Sequence, residues 1–365
     1  MISYHLYTEK HINLIDISLP FPARGCSPGI KKDRLRIGLL SYGAGIRFIS
    51  LAEEDGNEEL LTLSYEDLAD VMENSSLAGL TIGPCAGRMA GNTSLSLGDA
   101  SGEIHLNLPP NEGTNQIHGG TCNLSSCDWE LEELIPSKDG SVLTATFRTA
   151  LPHLLEGWPG HRIFQVTYTF AENGSLTLAY HGCSDALTYI NLTNHTYWKR
   201  KGLELSLHAA GFIENQTDLR PDHIVSVPDR IAFVSDPSTP PANDAVRSCS
   251  LKPSSETVTL KKEAVCNNGF LVNTYNTPVD GLDPAAKLQY PASGLQIHMD
   301  TDAPSMVVYT GDYLDNVSLL MDGEHSKPGA YVALEPQEQF PVTQISLCSK
   351  ERPFQRTIRY RFCRA

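Results

Sequence analysis

Residues 164–170 read Phe-Gln-Val-Thr-Tyr-Thr-Phe, and after a short break residues 176–178 read Leu-Thr-Leu. Apolar and polar side chains alternate in both runs, which is typical of a strand with one buried face. The break is Ala171-Glu172-Asn173-Gly174, and its Asn-Gly pair favours a tight hairpin turn. These residues therefore predict an antiparallel β-hairpin.

Outward from this hairpin, strand-like runs dominate the chain. Each is short, rich in apolar and β-branched residues, and bounded by turn residues. They are Leu35–Leu40, Ile46–Leu51, Val142–Arg148, Arg162–Phe170, Ser175–Tyr180, Leu203–Leu207, Leu295–Met299, Met306–Tyr309 and Tyr331–Glu335. Helical signals are few, and the best is Tyr65–Glu73 with Ser64 as a possible N-cap. We predict an all-β fold, a large antiparallel β-sandwich with few short helices.

The chain length is compatible with two or three domains, but a single β-sandwich can also be this long. The chain has 365 residues, of which 41% are hydrophobic and 19% charged, so it can bury a large core. We predict one sandwich domain over residues 35–365, preceded by an N-terminal extension over residues 1–34. The Pro/Ser/Asp-rich stretch Ser235–Ser255 is interpreted as a long surface loop of that domain.

The charge and the cysteines restrict partners and compartment. A net charge of −15 argues against nucleic acid or an anionic membrane as the main partner. The first 22 residues carry charges where a signal peptide needs an apolar run, and no stretch is long and apolar enough to span a membrane. The nine Cys residues form no Cys-x-x-Cys pair, which favours free thiols in a reducing cytoplasm. A zinc site at Cys122, Cys127 and His118 is the alternative, but it lacks a second ligand pair.

Four segments combine ionisable residues with Gly or Asn turns that can aim side chains into a cleft. They are Ile82–Arg88, Asn115–Gly120, Asn191–Trp198 and Tyr331–Gln337. In the first segment, Arg88 stands among small residues, so its guanidinium group could donate two hydrogen bonds to a ligand. It could equally be a surface Arg after a turn.

The other three segments offer an acid, a base and hydroxyl-binding groups. His118 lies directly before a tight Gly-Gly turn, and its side chain either binds a ligand or faces solvent. The run around His195 alternates amide, hydroxyl, imidazole and aromatic groups, which suits a neutral sugar, although a hydrogen-bonded core His is the alternative. Glu335 follows a four-residue apolar run, so it either lies partly desolvated at a strand end or begins a solvent loop.

The chemistry left open is acid–base catalysis without a cofactor. His195 could serve as general acid because imidazole titrates near neutrality, and Glu335 as general base. No nucleophile elbow, phosphate-binding loop or dinucleotide fingerprint is present. The sequence therefore predicts no cofactor and no metal.

In order and spacing, the four segments resemble those of the aldose 1-epimerase (galactose mutarotase) family. That family shows Gly-Arg-x-Ala-Asn-Arg-Ile, then Asn-x-Leu-His-Gly-Gly, then Asn-Leu-Thr-Asn-His-Ser-Tyr-Phe, and finally Leu-Glu-Thr-Gln. The matching segments here are Gly83–Met89, Asn115–Gly120, Asn191–Trp198 and Leu334–Gln337. The resemblance spans about residues 35–350 and implies the galactose mutarotase-like supersandwich. It also implies interconversion of the α and β anomers of a free monosaccharide.

The resemblance also assigns roles to individual residues. Glu335 resembles the general base that takes the proton of the C1 hydroxyl, and His195 the general acid that protonates the ring oxygen. This chemistry needs an ionised carboxylate and a protonated imidazole on opposite sides of one acetal carbon. His118 and Arg88 resemble substrate-binding residues, and Gln337 is expected to line the same pocket.

Three positions depart from the family pattern. Pro84 stands where the family has its first Arg, and Gly87 where it has the Asn before the binding Arg. Asn267 replaces a sugar-binding Asp and so loses a charge-assisted acceptor. With the acid and base kept, these changes indicate a divergent member with an altered sugar preference.

Three other functions compete with the mutarotase hypothesis. One is a catalytically silent carbohydrate-binding or regulatory domain, and another is a hexose-6-phosphate 1-epimerase. A hexose-6-phosphate 1-epimerase needs basic residues near the phosphate, but Arg88 is the only Arg within the four motif segments and the chain is acidic. A glycoside hydrolase needs two carboxylates, and beyond Glu335 only Asp300 and Asp302 could be considered. The sequence leaves open a monomer or a homodimer.

Overall fold

The computed structural model describes residues 1–21, 33–96, 103–225, 230–232, 248–252, 257–260, 266–272, 278–343 and 345–364. In the first third of the chain the strands are β1 Ser3–Glu9, β2 Ile12–Pro20, β3 Arg34–Leu40, β4 Gly45–Ala52, β5 Glu58–Leu60, β6 Thr81–Ile82, β7 Met89–Ala90, β8 Asn92–Ser96, β9 Glu103–Asn107 and β10 Asn115–Gln116. The middle third contains β11 Glu130–Pro136, β12 Val142–Leu151, β13 Arg162–Ala171, β14 Ser175–Ser184, β15 Thr188–Tyr189, β16 Thr193–Asn194, β17 Tyr197–Lys199, β18 Glu204–Asn215, β19 Pro221–Val225, β20 Arg230–Ala232 and β21 Ser248–Lys252. The last strands are β22 Thr257–Leu260, β23 Asn267–Val272, β24 Asp283–Tyr290, β25 Leu295–Thr301, β26 Ser305–Tyr309, β27 Tyr331–Gln337, β28 Leu347–Cys348 and β29 Phe354–Arg364.

Two large antiparallel sheets carry most of these strands. The first has five strands in the order β1-β2-β3-β4-β5. The second has sixteen described strands, with the main path β11-β12-β13-β14-β29-β25-β24-β18-β23-β26-β27-β17. Apolar side chains from both sheets, such as Ile17 and Leu35 from the first and Phe164 and Tyr360 from the second, form one buried cluster. The predicted all-β antiparallel architecture is confirmed.

The predicted hairpin is the pair β13 and β14. Buried and partly exposed residues alternate along both strands, and Ala171 pairs with Ser175 across the turn. Gly174 takes a φ of 79° and donates its N–H to the Ala171 carbonyl at 3.0 Å. The Asn173 side chain accepts the Ser175 N–H at 3.1 Å, so the turn residues satisfy the local backbone.

The predicted helix is present where the sequence indicated, but its first residue was predicted wrongly. Within the described residues the only α-helix is α1, Leu68–Glu73, with two single-turn 3₁₀ segments at Leu124–Ser126 and Leu155–Gly157. Asp67 caps it by accepting the Ala69 N–H at 2.8 Å. Ser64, the proposed cap, instead donates its hydroxyl to the Thr62 carbonyl. The helix therefore begins three residues later than predicted.

The two ends of the chain are built into sheets. β1 and β2 form a hairpin whose second strand pairs with β3, so much of the proposed extension is part of the first sheet. The domain division at residue 34 stays a prediction. β29 lies in the interior of the large sheet, between β14 and β25. Most of the loop predicted at Ser235–Ser255 lies outside the described residues, and within it Ser248–Lys252 is strand β21.

Candidate active site

One cavity of about 240 Å³ brings together all the residues that the sequence marked as catalytic or substrate-binding. This volume lies just below the ~300–1,000 Å³ typical of sites for drug-sized ligands, so the cavity suits a small molecule. The predicted residues on its wall are Arg88, His118, His195, Asn267, Glu335 and Gln337.

His195 and Glu335 face each other inside this cavity. Nε2 of His195 lies 3.6 Å from Oε1 of Glu335, and both side chains are only 4% exposed. A direct N–H···O hydrogen bond is shorter, at about 2.7–3.2 Å, so the two groups are adjacent without being bonded. Glu335 does not begin a solvent loop, because it lies within β27 and is buried.

Backbone hydrogen bonds hold His195 directly after β16. Its N–H donates to the Leu80 carbonyl at 3.0 Å, and its carbonyl accepts the Gly79 N–H at 2.9 Å. The Asn194 side chain donates to the Gly79 carbonyl at 2.8 Å. A Cβ on Gly79 would lie 1.9 Å from the Ile46 carbonyl oxygen, so only glycine allows this approach.

Burial dominates the electrostatics of Glu335. It raises the pKa of the Glu335 carboxyl because a charged form is disfavoured away from water. The charges of His195 and Arg88 and a hydrogen bond from Gln337 act in the opposite direction. Nε2 of Gln337 donates to Oε2 of Glu335 at 3.4 Å.

Aromatic rings fix the plane of the His195 imidazole. Tyr197 stacks against it with ring centroids 4.8 Å apart, and His118 meets it edge-on at 5.4 Å. Tyr309 packs edge-on against Tyr197 at 6.0 Å. Nδ1 of His195 is buried and has no hydrogen-bond partner among the described residues. The ring is therefore oriented by packing rather than by hydrogen bonds of its nitrogens.

His118 lies in the strained turn that its Gly-Gly sequence predicts. His118, Gly119 and Gly120 all have positive φ, at 58°, 82° and 98°. A Cβ on Gly119 would lie 2.4 Å from Cδ of Pro84, so the residue must be glycine. Glu156 supports the turn by accepting the Thr121 hydroxyl at 2.9 Å and the Cys122 N–H at 2.8 Å.

The His118 imidazole is held neutral. Burial lowers its pKa well below the usual range, and the charges of His195 and Arg88 lower it further. Nδ1 donates to the Ala86 carbonyl at 3.1 Å. Because one nitrogen of a neutral imidazole carries the proton, Nε2 is left as a hydrogen-bond acceptor.

Arg88 makes a two-pronged ion pair within the wall of the cavity. Its Nε lies 2.5 Å from Oε2 of Glu112, and its Nη2 lies 2.9 Å from Oε1. The Arg88 side chain is 14% exposed and that of Glu112 is 41% exposed. Arg88 is therefore a cavity residue, which excludes the alternative of a solvent-exposed Arg after a turn.

At Gly87, one of the departures from the family pattern, glutamine side chains occupy the space that a side chain would need. A Cβ on Gly87 would lie 3.2 Å from Oε1 of Gln337 and 3.9 Å from Nε2 of Gln339. Asn267 begins β23, and its carbonyl accepts a hydrogen bond from Asn215 at 2.8 Å while the residue lines the cavity. Uncharged amides of Asn267, Gln337 and Gln339 thus form part of the cavity wall.

Among the cavity residues that were not predicted from the sequence, Gln339 and Glu112 each left a signal. Gln339 continues the period-two alternation of Glu335 and Gln337, which places all three on the cavity side. Glu112 is part of the same Gly-containing loop as His118 and is the acidic residue of that loop. In both cases the signal was proximity to a residue already predicted.

The remaining sequence hypotheses concern metals, membranes and other carboxylates. Among the described residues, no three His, Cys, Asp or Glu side chains are grouped to hold a metal ion. No helix in the described part of the chain is long and apolar enough to cross a membrane. Asp300 and Asp302 are not among the residues that line the cavity. Asp300 is buried against Arg359 and Arg361, and Asp302 pairs with Arg356.

Comparison of the fold with solved structures gives its class. The chain superposes on the crystal structure of galactose 1-epimerase from Lactobacillus acidophilus with a TM-score of 0.69, at 21% identity, over 99% of this chain and 98% of that one. The fold is thus galactose mutarotase-like, as the sequence predicted.

Sequence comparison then gives the family. The Aldose 1-epimerase family model matches residues 30–357, and the chain belongs to this family. It is 26% identical over 294 residues to the galactose mutarotase of Homo sapiens, which covers 78% of this chain and 77% of that protein. It is 22% identical over 291 residues to the aldose 1-epimerase of Escherichia coli K12, which covers 76% of each.

Proposed function

We propose that this protein is a cofactor-independent aldose 1-epimerase that interconverts the α and β anomers of a free aldose. The observation that carries the proposal is the buried His195–Glu335 pair, with its atoms 3.6 Å apart in a small cavity. The two oxygens that exchange protons in anomerisation are both attached to C1. An acid and a base for this reaction must therefore lie close together, as these two do.

In the ring-opening step, Glu335 takes the proton of the C1 hydroxyl while His195 gives a proton to the ring oxygen. The C1–O5 bond breaks, and C1 becomes the aldehyde carbon. Rotation about the C1–C2 bond turns the other carbonyl face toward O5. On closure His195 takes the O5–H proton and Glu335 returns a proton to the carbonyl oxygen, so both residues regain their starting states.

Neutral hydrogen-bonding groups position the sugar in this proposal. The unprotonated Nε2 of His118 accepts a hydroxyl proton, and the amides of Asn267 and Gln337 can donate or accept. The substrate is a monosaccharide, and neither nucleic acid nor membrane is a partner. A cytoplasmic monomer or homodimer remains our prediction from the sequence.

The wall of the cavity gives no support to the hexose-6-phosphate alternative. Among the described lining residues, Arg88 is the only Lys or Arg, and its Nε and Nη2 are already paired with Glu112. A phosphate group is recognised by clustered basic side chains with free donors. A free sugar fits this wall better.

The proposal is tested by the rate at which purified protein equilibrates the anomers of a panel of free aldoses, followed by polarimetry. We expect acceleration of at least one sugar, and a loss of about 100-fold or more in Glu335→Gln, since general acid–base catalysis contributes 10²–10⁴-fold. Glu130→Gln is the matched control, because Glu130 is exposed and does not line the cavity. Thermal unfolding and sugar binding by calorimetry are measured for every variant.

Unchanged mutarotation rates across the panel with wild-type protein would overturn the proposal. Sugar binding without rate acceleration would instead identify a catalytically silent carbohydrate-binding domain. A folded Glu335→Gln variant that retains full activity would remove this residue from the mechanism.

A further inference from the structure

Glu112 and Arg88 form a pair whose charges cancel inside the cavity. Two hydrogen bonds, at 2.5 and 2.9 Å, join the carboxylate to the guanidinium in a parallel arrangement. This geometry orients the guanidinium more strictly than a single contact would. We propose that Glu112 is a specificity-determining residue, an inference that rests on the proposed function. Its carboxylate neutralises the Arg88 guanidinium, so the site selects uncharged aldoses over sugar acids and sugar phosphates.

The charges on the wall support this selection. Among the described lining residues, Arg88 is the only Lys or Arg, whereas Glu112 and Glu335 are both carboxylates. His118 is held neutral by burial. An anionic sugar would therefore approach two carboxylates and one cation that is already paired, and like charges brought together in a binding site weaken binding.

The pair still offers hydrogen bonds to a neutral sugar. A guanidinium has five N–H donors, and the pair uses two of them, so three remain for other groups. Each carboxylate oxygen of Glu112 accepts one bond from Arg88 and can accept another. A donor and an acceptor side by side match neighbouring sugar hydroxyls, because every hydroxyl can both donate and accept.

The loop that carries Glu112 also carries His118, so both are positioned together. Glu112 and Asn115 exchange backbone hydrogen bonds of 3.0 and 2.9 Å. The Asn111 side chain closes the loop by accepting the Ile117 N–H at 2.8 Å and donating to the Ile117 carbonyl at 3.1 Å. Because these bonds do not involve the Glu112 side chain, which is 41% exposed, its replacement leaves the loop in place.

The experiment compares wild type, Glu112→Gln and Glu130→Gln. Both variants remove one negative charge, but Glu130 does not line the cavity. For each protein, kcat/KM is measured for an aldohexose that the wild type accepts. Inhibition constants are measured for the matching uronate, for its methyl ester and for the 6-phosphate, at low and at high salt.

We expect Glu112→Gln to strengthen uronate binding relative to the uncharged ester by about tenfold or more, with the gain weakened by salt. Glu130→Gln should leave the ratio unchanged. Adding Arg88→Met to Glu112→Gln should return the ratio to about the wild-type value, because the gain comes from the Arg88 cation that the loss of Glu112 frees.

An unchanged ratio in a folded Glu112→Gln protein would overturn this inference while leaving the proposed function intact. A folded Glu112→Gln/Arg88→Met protein that keeps the gain in uronate binding would overturn it as well, because the gain would then not come from the freed Arg88. Failure of the proposed function has a different signature, since the wild type would then accelerate no aldose at all. The inhibition constants remain measurable in that case as binding constants by calorimetry.

Discussion

Asn194→Asp should weaken the support of the His195 backbone in a way that depends on pH. Asn194 is fully buried, and its Nδ2 donates to the Gly79 carbonyl at 2.8 Å. Its Oδ1 accepts the Thr196 N–H at 3.1 Å and the Thr196 hydroxyl at 2.5 Å. The substitution keeps the shape and the acceptor, but it replaces the donor with a second oxygen that faces a carbonyl oxygen.

The size of the effect follows from these contacts. The lost hydrogen bond is worth about 1 kcal/mol, and a buried oxygen without a donor costs about 1–3 kcal/mol more. The free energy of unfolding should therefore fall by about 2–4 kcal/mol at neutral pH. With about 2.1 cal/mol/K of unfolding entropy per residue over 365 residues, Tm should fall by roughly 3–5 °C.

The deficit should shrink on acidification. Burial raises the folded-state pKa of the introduced carboxyl, because the Thr196 donors bond only one of its oxygens and the other faces the Gly79 carbonyl. A carboxyl with a raised folded pKa contributes stability at pH values below its unfolded pKa, and this is lost as pH rises through the folded pKa. When protonated, the group can donate its O–H to the Gly79 carbonyl and restore the bond.

The assay is scanning calorimetry of both proteins between pH 4.5 and 7.5, with mutarotation rates at the same values. Asn173→Asp is the matched control: Asn173 is exposed and its Oδ1 accepts from Ser175, which an aspartate also does. The control should unfold within about 1 °C of wild type at pH 7.5. A Tm of Asn194→Asp equal to wild type, or a deficit that grows as pH falls, would refute the reasoning.

Three further predictions concern the cavity and its support. The acid limb of the wild-type pH–rate profile should lie above the ordinary glutamate range, because burial raises the pKa of Glu335 and the base must be ionised; a limb at or below that range would contradict this. Gly87→Ala should push Gln337 aside by a few tenths of an ångström and raise KM several-fold with little change in Tm, which steady-state kinetics and calorimetry would check. Glu156→Ala should remove the two bonds that hold the His118 turn and lower kcat/KM, whereas Glu156→Gln keeps an acceptor and should recover part of it; equal rates in the two variants would argue against this role.

Regular alternation made much of the fold predictable. The hairpin at residues 162–184 was predictable because its burial alternates without interruption. β18 was predicted only over Leu203–Leu207, yet it runs over Glu204–Asn215. Its register against β23 shifts between Ala209 and Gly211, and such a bulge breaks the period on which the prediction depends.

Strand β1 shows a different limit of sequence reasoning. Every residue of Ser3–Glu9 is exposed or only partly buried, because the strand lies at the edge of its sheet. With no buried face, its composition carries no alternating signal. Pairing with β2 forms it, and pairing is a property of the tertiary structure.

The candidate site was likewise predictable from the sequence only in part. His195 and Glu335 carried local signals, in a polar run and at the end of an apolar one. Their separation of 3.6 Å depends on strands 140 residues apart in the chain, and no local pattern contains that distance. The pairing of Arg88 with Glu112 likewise required the folded loop.

The position of β29 has a consequence for how the molecule is made. Its eleven residues join β14 to β25, so the large sheet is divided in two until Phe354–Arg364 has been synthesised and has left the ribosome. Folding of the large sheet must therefore wait for this segment, with both of its halves exposing unpaired edges in the meantime. A premature stop codon just before Phe354 would remove a central strand rather than trim a tail, and its product should aggregate.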